Sequence, residues 1–388
     1  MVKLTTAVIC FFFLFSCNDL KPNQINNCYY DESLSNKKIT IIKELNISID
    51  KTNNFMSTQT LVNGDSLIRA NYFNIAIDIF SVKERKKIMT YNFKNEGPNR
   101  IINFGGSGIV EMKENSFLIG SLLGEIYITY KDSILSKHNL SDLDIFKDRE
   151  YRLYGINSTK PIKIDDDIFF YRVPEYLQQD KGYYSEKLLV KYNLKNKSLD
   201  ELNVLYPKEY HSGLWSFAHI HPSFTKNSEN KIIFSFPINS HLYEYDIKTD
   251  SMVTVDKCVK SKFDNFPLKP LKSTSVDFYE ENKYIKGQIR YLSITYDKYK
   301  KLYYRMIALP VENDDDLISR DKDFLVSPIV LMVLDSDFNV LAEKKLKGGM
   351  FNYKDYFVNE EGFWLSKNNP KNPNFDEDKL SFSLFNLK

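Results

Sequence analysis

Three of the five histidines fall within eleven residues, at His211, His219 and His221, and Trp215, one of only two tryptophans, lies among them. On a strand, residues two apart point to the same face, so His219 and His221 could share a metal ion. A structural or catalytic zinc site needs a third or fourth ligand, and His241 is the candidate by residue type. A second reading makes this a ligand-facing loop with Trp215 as a stacking platform. A third makes it the approach to a strand, with His221-Pro222 capping its start and Trp215 packed in a core. No metal is assigned, and His211, Trp215, His219 and His221 stand as candidate ligand contacts.

Other candidates are weaker. Asp165-Asp166-Asp167 and Asp314-Asp315-Asp316 could bind calcium if backbone carbonyls converged on them, but neither has the alternating spacing of an EF-hand loop, and they read as solvated turns. Gly105-Gly106-Ser107-Gly108 fails as a nucleophile elbow, because Ile109 stands two residues after the serine. It fails as a dinucleotide loop, because Glu111 stands where the third glycine belongs. It reads as a turn between repeats. Arg100, after Gly97-Pro98-Asn99, could attract an anion at the mouth of a central channel, or be a plain surface arginine. No His-Glu-x-x-His helix occurs. No catalytic residue and no cofactor is therefore assigned.

The elements that must position these residues are strands. Period-two alternation runs through Ile39, Ile41, Lys43, Leu45, Ile47 and Ile49, then Ile75–Ile79, Ile126–Tyr130, Val190–Leu194, Tyr243–Ile247 and Leu380–Leu384. Turn formers separate the runs: Asn63-Gly64-Asp65, Lys195-Asn196-Lys197, Lys248-Thr249-Asp250 and Asn359-Glu360-Glu361-Gly362. The 26 Tyr and 28 Phe suit half-buried pleated surfaces. Amphipathic helices are scarce, with one short turn or helix expected within Leu140–Tyr151. The runs recur as six units near 55–95, 108–140, 160–206, 220–260, 274–348 and 351–388. The similarity of LLVKYNLKNKSL (188–199) to HLYEYDIKTDSM (241–252) supports the repeat. All-β repeats of this length predict a six-bladed β-propeller. The last unit has room for about three strands, and the strand at 39–49 has no blade of its own. It is expected to close the last blade, which would protect two sheet edges.

The N-terminus predicts an address. Lys3 and the apolar run Val8–Phe15 form a signal segment too short to span a bilayer. Leu14-Phe15-Ser16-Cys17 resembles a bacterial lipobox, so residues 1–16 are expected to be a lipoprotein signal peptide, 17–37 a lipidated flexible tether, and 38–388 the propeller domain. Of the remaining cysteines, Cys28 and Cys258 could pair in an oxidising compartment. The net charge of +2, with acids and bases interspersed, argues against a nucleic-acid partner.

A Cys17 lipobox followed by weak β repeats looks like the lipoproteins of Bacteroidetes that carry a TolB-like six-bladed propeller. More closely, the chain resembles the family called domain of unknown function 4221. The resemblance is carried by Glu96-Gly97-Pro98-Asn99, by Ile232-Ile233-Phe234-Ser235-Phe236-Pro237 and by Leu242-Tyr243-Glu244-Tyr245-Asp246-Ile247. It implies fold and address, and no chemistry. The expectation is an outer-membrane lipoprotein, monomeric and attached to the membrane through its lipid. It would act as a non-catalytic binding or scaffold propeller for a peptide, glycan or envelope protein. The alternative is a propeller enzyme of lyase, lactonase or glycosidase type with its site on the channel axis.

Overall fold

Each sequence repeat folds into a small antiparallel sheet, and six sheets form a ring. The computed structural model describes residues 37–49, 59–97, 100–122, 124–140, 152–173, 182–255, 257, 259–273, 277–311 and 326–388. Cys17, Cys28, Cys258, Asp314–Asp316 and residues 141–151 lie outside them, and so do the expectations that fall there.

Blade one comprises Thr60–Asn63, Ser66–Asn71, Ala76–Ser81 and Lys86–Asn92. Blade two comprises Gly108–Lys113, Ser116–Gly120, Glu125–Tyr130 and Ser133–Asn139. Blade three opens with a divided inner strand, Arg152–Tyr154 and Ile162–Ile164, followed by Asp167–Val173, Leu189–Asn193 and Leu199–Leu202. Blade four is Ser223–Lys226, Ile232–Ser235, Leu242–Asp246 and Ser251–Thr254. Blade five is Arg290–Asp297, Leu302–Ala308, Ile329–Leu334 and Val340–Leu346. Blade six is Asn352–Asn359, Gly362–Ser366 and Lys379–Leu387, with Ile39–Ser48 from the chain start as its fourth strand.

The predicted closure is therefore present: Ile39 faces Leu387 and Ile47 faces Leu380, and the backbones of Lys38 and Lys388 exchange two hydrogen bonds of 2.9 Å. The clean alternation read along 39–49 needs one correction. The register slips between Ile41 and Lys43, so Ile42 is a bulged residue. An extra residue reverses which face the side chains take. Ile39 accordingly packs at the seam of blades five and six, whereas Leu45 and Ile47 pack at the seam of blades six and one.

Among the described residues there are six hydrophobic clusters, one for each seam between neighbouring blades. Middle strands such as Ala76–Ser81 and Ile329–Leu334 are buried at every position, as strands packed on both faces must be. The first strands of neighbouring blades pack on one another and surround the axis. One face of the ring carries short turns, where residues such as Arg85, Asn115 and Lys131 adopt positive φ. The opposite face, here the loop face, carries the links between blades, including helix α1 (Phe217–Ile220) and helix α2 (Phe278–Lys286). The Asp277 carboxylate caps α2 by accepting the Glu280 amide at 2.8 Å. No helix among the described residues is long and apolar enough to cross a membrane.

Candidate functional site

The axis is where a propeller gathers polar side chains, and here it is crossed by the chain itself. Both halves of the inner strand of blade three pair with Asp167–Val173, and residues 155–161 leave the sheet between them. The side-chain Oδ1 of Asn157 accepts the Thr60 backbone amide of blade one at 2.9 Å. Its side-chain Nδ2 donates to the Lys354 and Tyr356 backbone carbonyls of blade six at 3.2 and 3.1 Å. The Gly155 amide donates to the Gly106 carbonyl on the link to blade two, and the Ser158 carbonyl accepts the Phe224 amide of blade four. One short segment thus bonds to elements of four other blades and plugs the ring.

A buried ion pair lies beside the plug. The inner strand of blade six loses register between Asn352 and Tyr356, and Asp355 sits in that bulge. Its carboxylate accepts Arg69 at 2.9 and 3.1 Å and the Thr60 hydroxyl at 2.9 Å, with both charged side chains at 3% exposure or less. Gln59 completes the frame by bonding the backbone amide and carbonyl of Ile109 at 2.6 and 2.7 Å. These polar groups join blade to blade.

The plug explains the glycine run. A Cβ on Gly155 would lie 2.2 Å from the Ser107 carbonyl oxygen, and one on Gly108 would lie 2.5 Å from Pro161. Ser107 is fully buried, with its hydroxyl 2.5 Å from the Ser121 carbonyl and 2.9 Å from the Leu153 carbonyl. It is therefore a structural serine at a close approach of two backbones.

Two titratable groups flank this arrangement. Burial lowers the Lys160 amine to about 8, with no charged neighbour contributing. Burial also lowers the His221 imidazole to about 4. The His221 ring stacks on Tyr154 at 5.2 Å, and its Nδ1 lies 3.2 Å from the Tyr171 hydroxyl.

The histidine segment is not the strand that the spacing suggested. His219 lies in α1 and His221 just after it, so the two imidazoles serve different neighbours. His219 is fully buried, with Nδ1 2.6 Å from the Ser216 hydroxyl and its ring 5.1 Å from Tyr284. Burial, then the Arg290 charge, holds it well below the usual histidine range. Trp215 is 3% exposed, donates to the Tyr210 carbonyl at 3.1 Å and packs on Tyr210 and His219. That leaves no free ring face for a ligand to stack on. His211 is exposed at the surface, edge-on to Tyr184. Among the described residues no three His, Cys, Asp or Glu side chains group in a way that would hold a metal. Asp165–Asp167 form the turn into Asp167–Val173, where Asp166 pairs with Lys195 at 2.6 Å and Asp167 accepts Asn193 at 2.6 Å.

Among the described residues, Arg100 lines a cavity. It is exposed at the rim of a pocket of about 590 Å³ on the loop face, between blades one and two. Tyr72, Ile101, Phe104 and Leu122 give the pocket apolar walls, and Gly106 continues it to the foot of the plug. The nearby carboxylate of Glu125 is held by Lys137 at 2.6 Å and by the Tyr127 hydroxyl. Burial pushes Glu125 up, and the Lys137 and Tyr127 hydrogen bonds with the charges of Lys137 and Arg100 outweigh it and hold the group below its ordinary value. An aromatic, partly apolar pocket with a cation at its lip suits a small ligand carrying a negative group. Sequence reading reached Arg100 and missed Asn157, Arg69 and Asp355. The stretch Gly155–Lys160 reads as a linker ahead of the third repeat, and only its polar run between two short apolar strands hints at an insertion.

Comparison with known proteins fixes the family. The profile of the domain of unknown function DUF4221 matches residues 26–345. The chain belongs to this family. A DUF4221 family member from Bacteroides vulgatus shares the fold with a TM-score of 0.75 at 20% identity, covering 92% of this chain and 99% of that one. A Bacteroides fragilis protein classed as exported superposes with a TM-score of 0.53 at 9% identity, covering 93% and 96%. A virginiamycin B lyase from Staphylococcus aureus gives 0.44 at 10% identity, covering 89% and 99%. No curated protein matches.

Proposed function

We propose that this propeller is a non-catalytic binding protein of the cell envelope, anchored to the outer membrane through a lipid on Cys17 and acting as a monomer. Its ligand is the acidic end or side group of a peptide, glycan or partner protein, taken up by the loop face at the Arg100 pocket. The observation that carries the reading is the joining of an exposed guanidinium to an aromatic pocket, while the axial acid and base, Asp355 and Arg69, are buried against each other. A fold relative classed by name as exported supports this address.

The test is calorimetric titration of acidic peptides and uronate-bearing glycans against their amidated or neutral counterparts. Arg100→Glu is expected to weaken binding of the acidic members by about tenfold or more, because a charge-assisted contact becomes a repulsion. Equal affinity for acidic and neutral members would refute the pocket assignment. Turnover of any member would replace this reading with an enzymatic one.

A further inference from the structure

The outer wall of the ring carries apolar side chains that its interior does not use. Ile42 is the bulged residue of the outer strand of blade six. In blade one the register slips between Met89 and Lys87, which makes Ile88 the bulged residue there. The two strands are neighbours in the ring and pack on each other. A bulge turns an edge strand away from further pairing and re-aims its side chains. Here it exposes Ile42 at 47% and Ile88 at 45%, with Ile41 and Met89 exposed to nearly the same degree.

The charges around this patch are mostly of one sign. Residues 37–43 hold three lysines and no acid, and residues 83–89 hold three lysines, an arginine and one acid, Glu84. Glu84 pairs with Lys86 at 2.7 Å, and Glu361 from the neighbouring turn pairs with Lys43 at 2.5 Å. Lys37, Lys38, Lys83 and Arg85 are exposed and lie in no ion pair among the described residues. The patch sits near the turn face, at the point where the chain enters its first strand. Cys17 lies twenty residues before Lys37.

We propose that this wall, at the junction of blades six and one, docks on an anionic phospholipid bilayer. The proposal deepens the envelope reading, because the anchor is what keeps a bilayer within reach. Exposed aliphatic side chains among lysines are the composition of a surface that rests at a membrane interface. A basic patch beside the lipid anchor adds a second, electrostatic contact to the same bilayer.

The experiment uses the mature chain from residue 18, without lipid, and vesicles of phosphatidylethanolamine with phosphatidylglycerol, compared with phosphatidylcholine alone. The chain is expected to sediment with the anionic vesicles and to lose that binding as salt rises. Each basic side chain near such a surface contributes about fivefold, so Lys37→Glu with Lys38→Glu lowers binding at least about 25-fold. Ile42→Ser with Ile88→Ser lowers it about tenfold or more. Phe73→Ser, at a 78% exposed position on the loop face, leaves it unchanged.

Binding without preference for anionic lipid overturns the proposal, as does a loss with Phe73→Ser equal to that of the wall variants. So does a dimer that Ile42→Ser with Ile88→Ser dissociates in a chain that ignores vesicles. The mass of the mature N-terminus from cells reads lipidation separately, so failure of docking and failure of the anchor are distinguishable results.

Discussion

Replacing Asp355 by alanine tests whether the axis is built for stability or for chemistry. In the folded protein the Arg69 guanidinium makes two contacts of 2.9 and 3.1 Å to this carboxylate, and the Thr60 hydroxyl makes a third of 2.9 Å. Both charged side chains are buried. Asp355→Ala removes this carboxylate from beside the buried Arg69, and breaking a buried pair in this way costs about 3–5 kcal/mol. Removing both charges is a different matter. Arg69→Met with Asp355→Leu spares both desolvation penalties and keeps apolar volume beside Phe382, over which Arg69 already lies at 5.9 Å. Such replacements are commonly neutral or stabilising, so the double variant is expected within about 2 kcal/mol of the parent, with a coupling of at least about 2 kcal/mol. Equilibrium unfolding in urea, read by tyrosine and tryptophan fluorescence, measures Asp355→Ala, the double variant and its two component single variants, Arg69→Met and Asp355→Leu. A loss below about 1 kcal/mol for Asp355→Ala, or additive losses in the double variant, would refute the account of the axis as a blade-to-blade clasp.

Gly155→Ala places a methyl group against the backbone of Ser107 and Gly108, where no side chain can swing aside. It is expected to cost about 3 kcal/mol or more in urea unfolding, whereas Gly97→Ala, with nothing within 4 Å, costs only the strain of its positive φ, about 1 kcal/mol. The depressed His221 imidazole predicts the shape of acid denaturation. The unfolded chain binds this proton near pH 6.5 and the folded chain only near pH 4, so the unfolded state carries more protons between these values. Stability therefore falls as pH drops through that window and is retained above it. His221→Gln is expected to flatten the dependence of the urea midpoint on pH between 6.5 and 4, leaving the part that His219 contributes; an unchanged slope would contradict it.

The ring was legible because strands advertise themselves by period, and the period survives in every blade. The six repeats and the closing strand depend only on local alternation and turn residues, so boundaries such as 108–140 match the second sheet closely. What period cannot show is an interruption. In the outer strand of blade six, Ile39 and Leu45 are both odd-numbered and both apolar, and read as one stripe, yet the bulge at Ile42 sends them to different seams. The histidines failed for the same reason. His219 and His221 keep strand spacing, but a four-residue helix ends between them and the next strand begins only at Ser223.

The plug was out of reach for a further reason. Asn157 bonds residues nearly two hundred positions away, Lys354 and Tyr356, and no local pattern encodes a partner on the opposite side of a ring. The glycines of 105–108 did signal a constraint, but one imposed by Gly155 and Pro161 passing close by. A sequence reads close approach and catalytic turn through the same residue, since both require that Cβ be missing. Arg100 was found because it needs no long-range partner. Of the two readings of Arg100, an anion contact at a channel mouth or a plain surface arginine, the side chain is exposed at the surface and lines a side pocket. With Asn157 and Gly155 bonded across the axis, the exposed Arg100 lies at the rim of the loop-face pocket, which is where the proposed ligand contact is made.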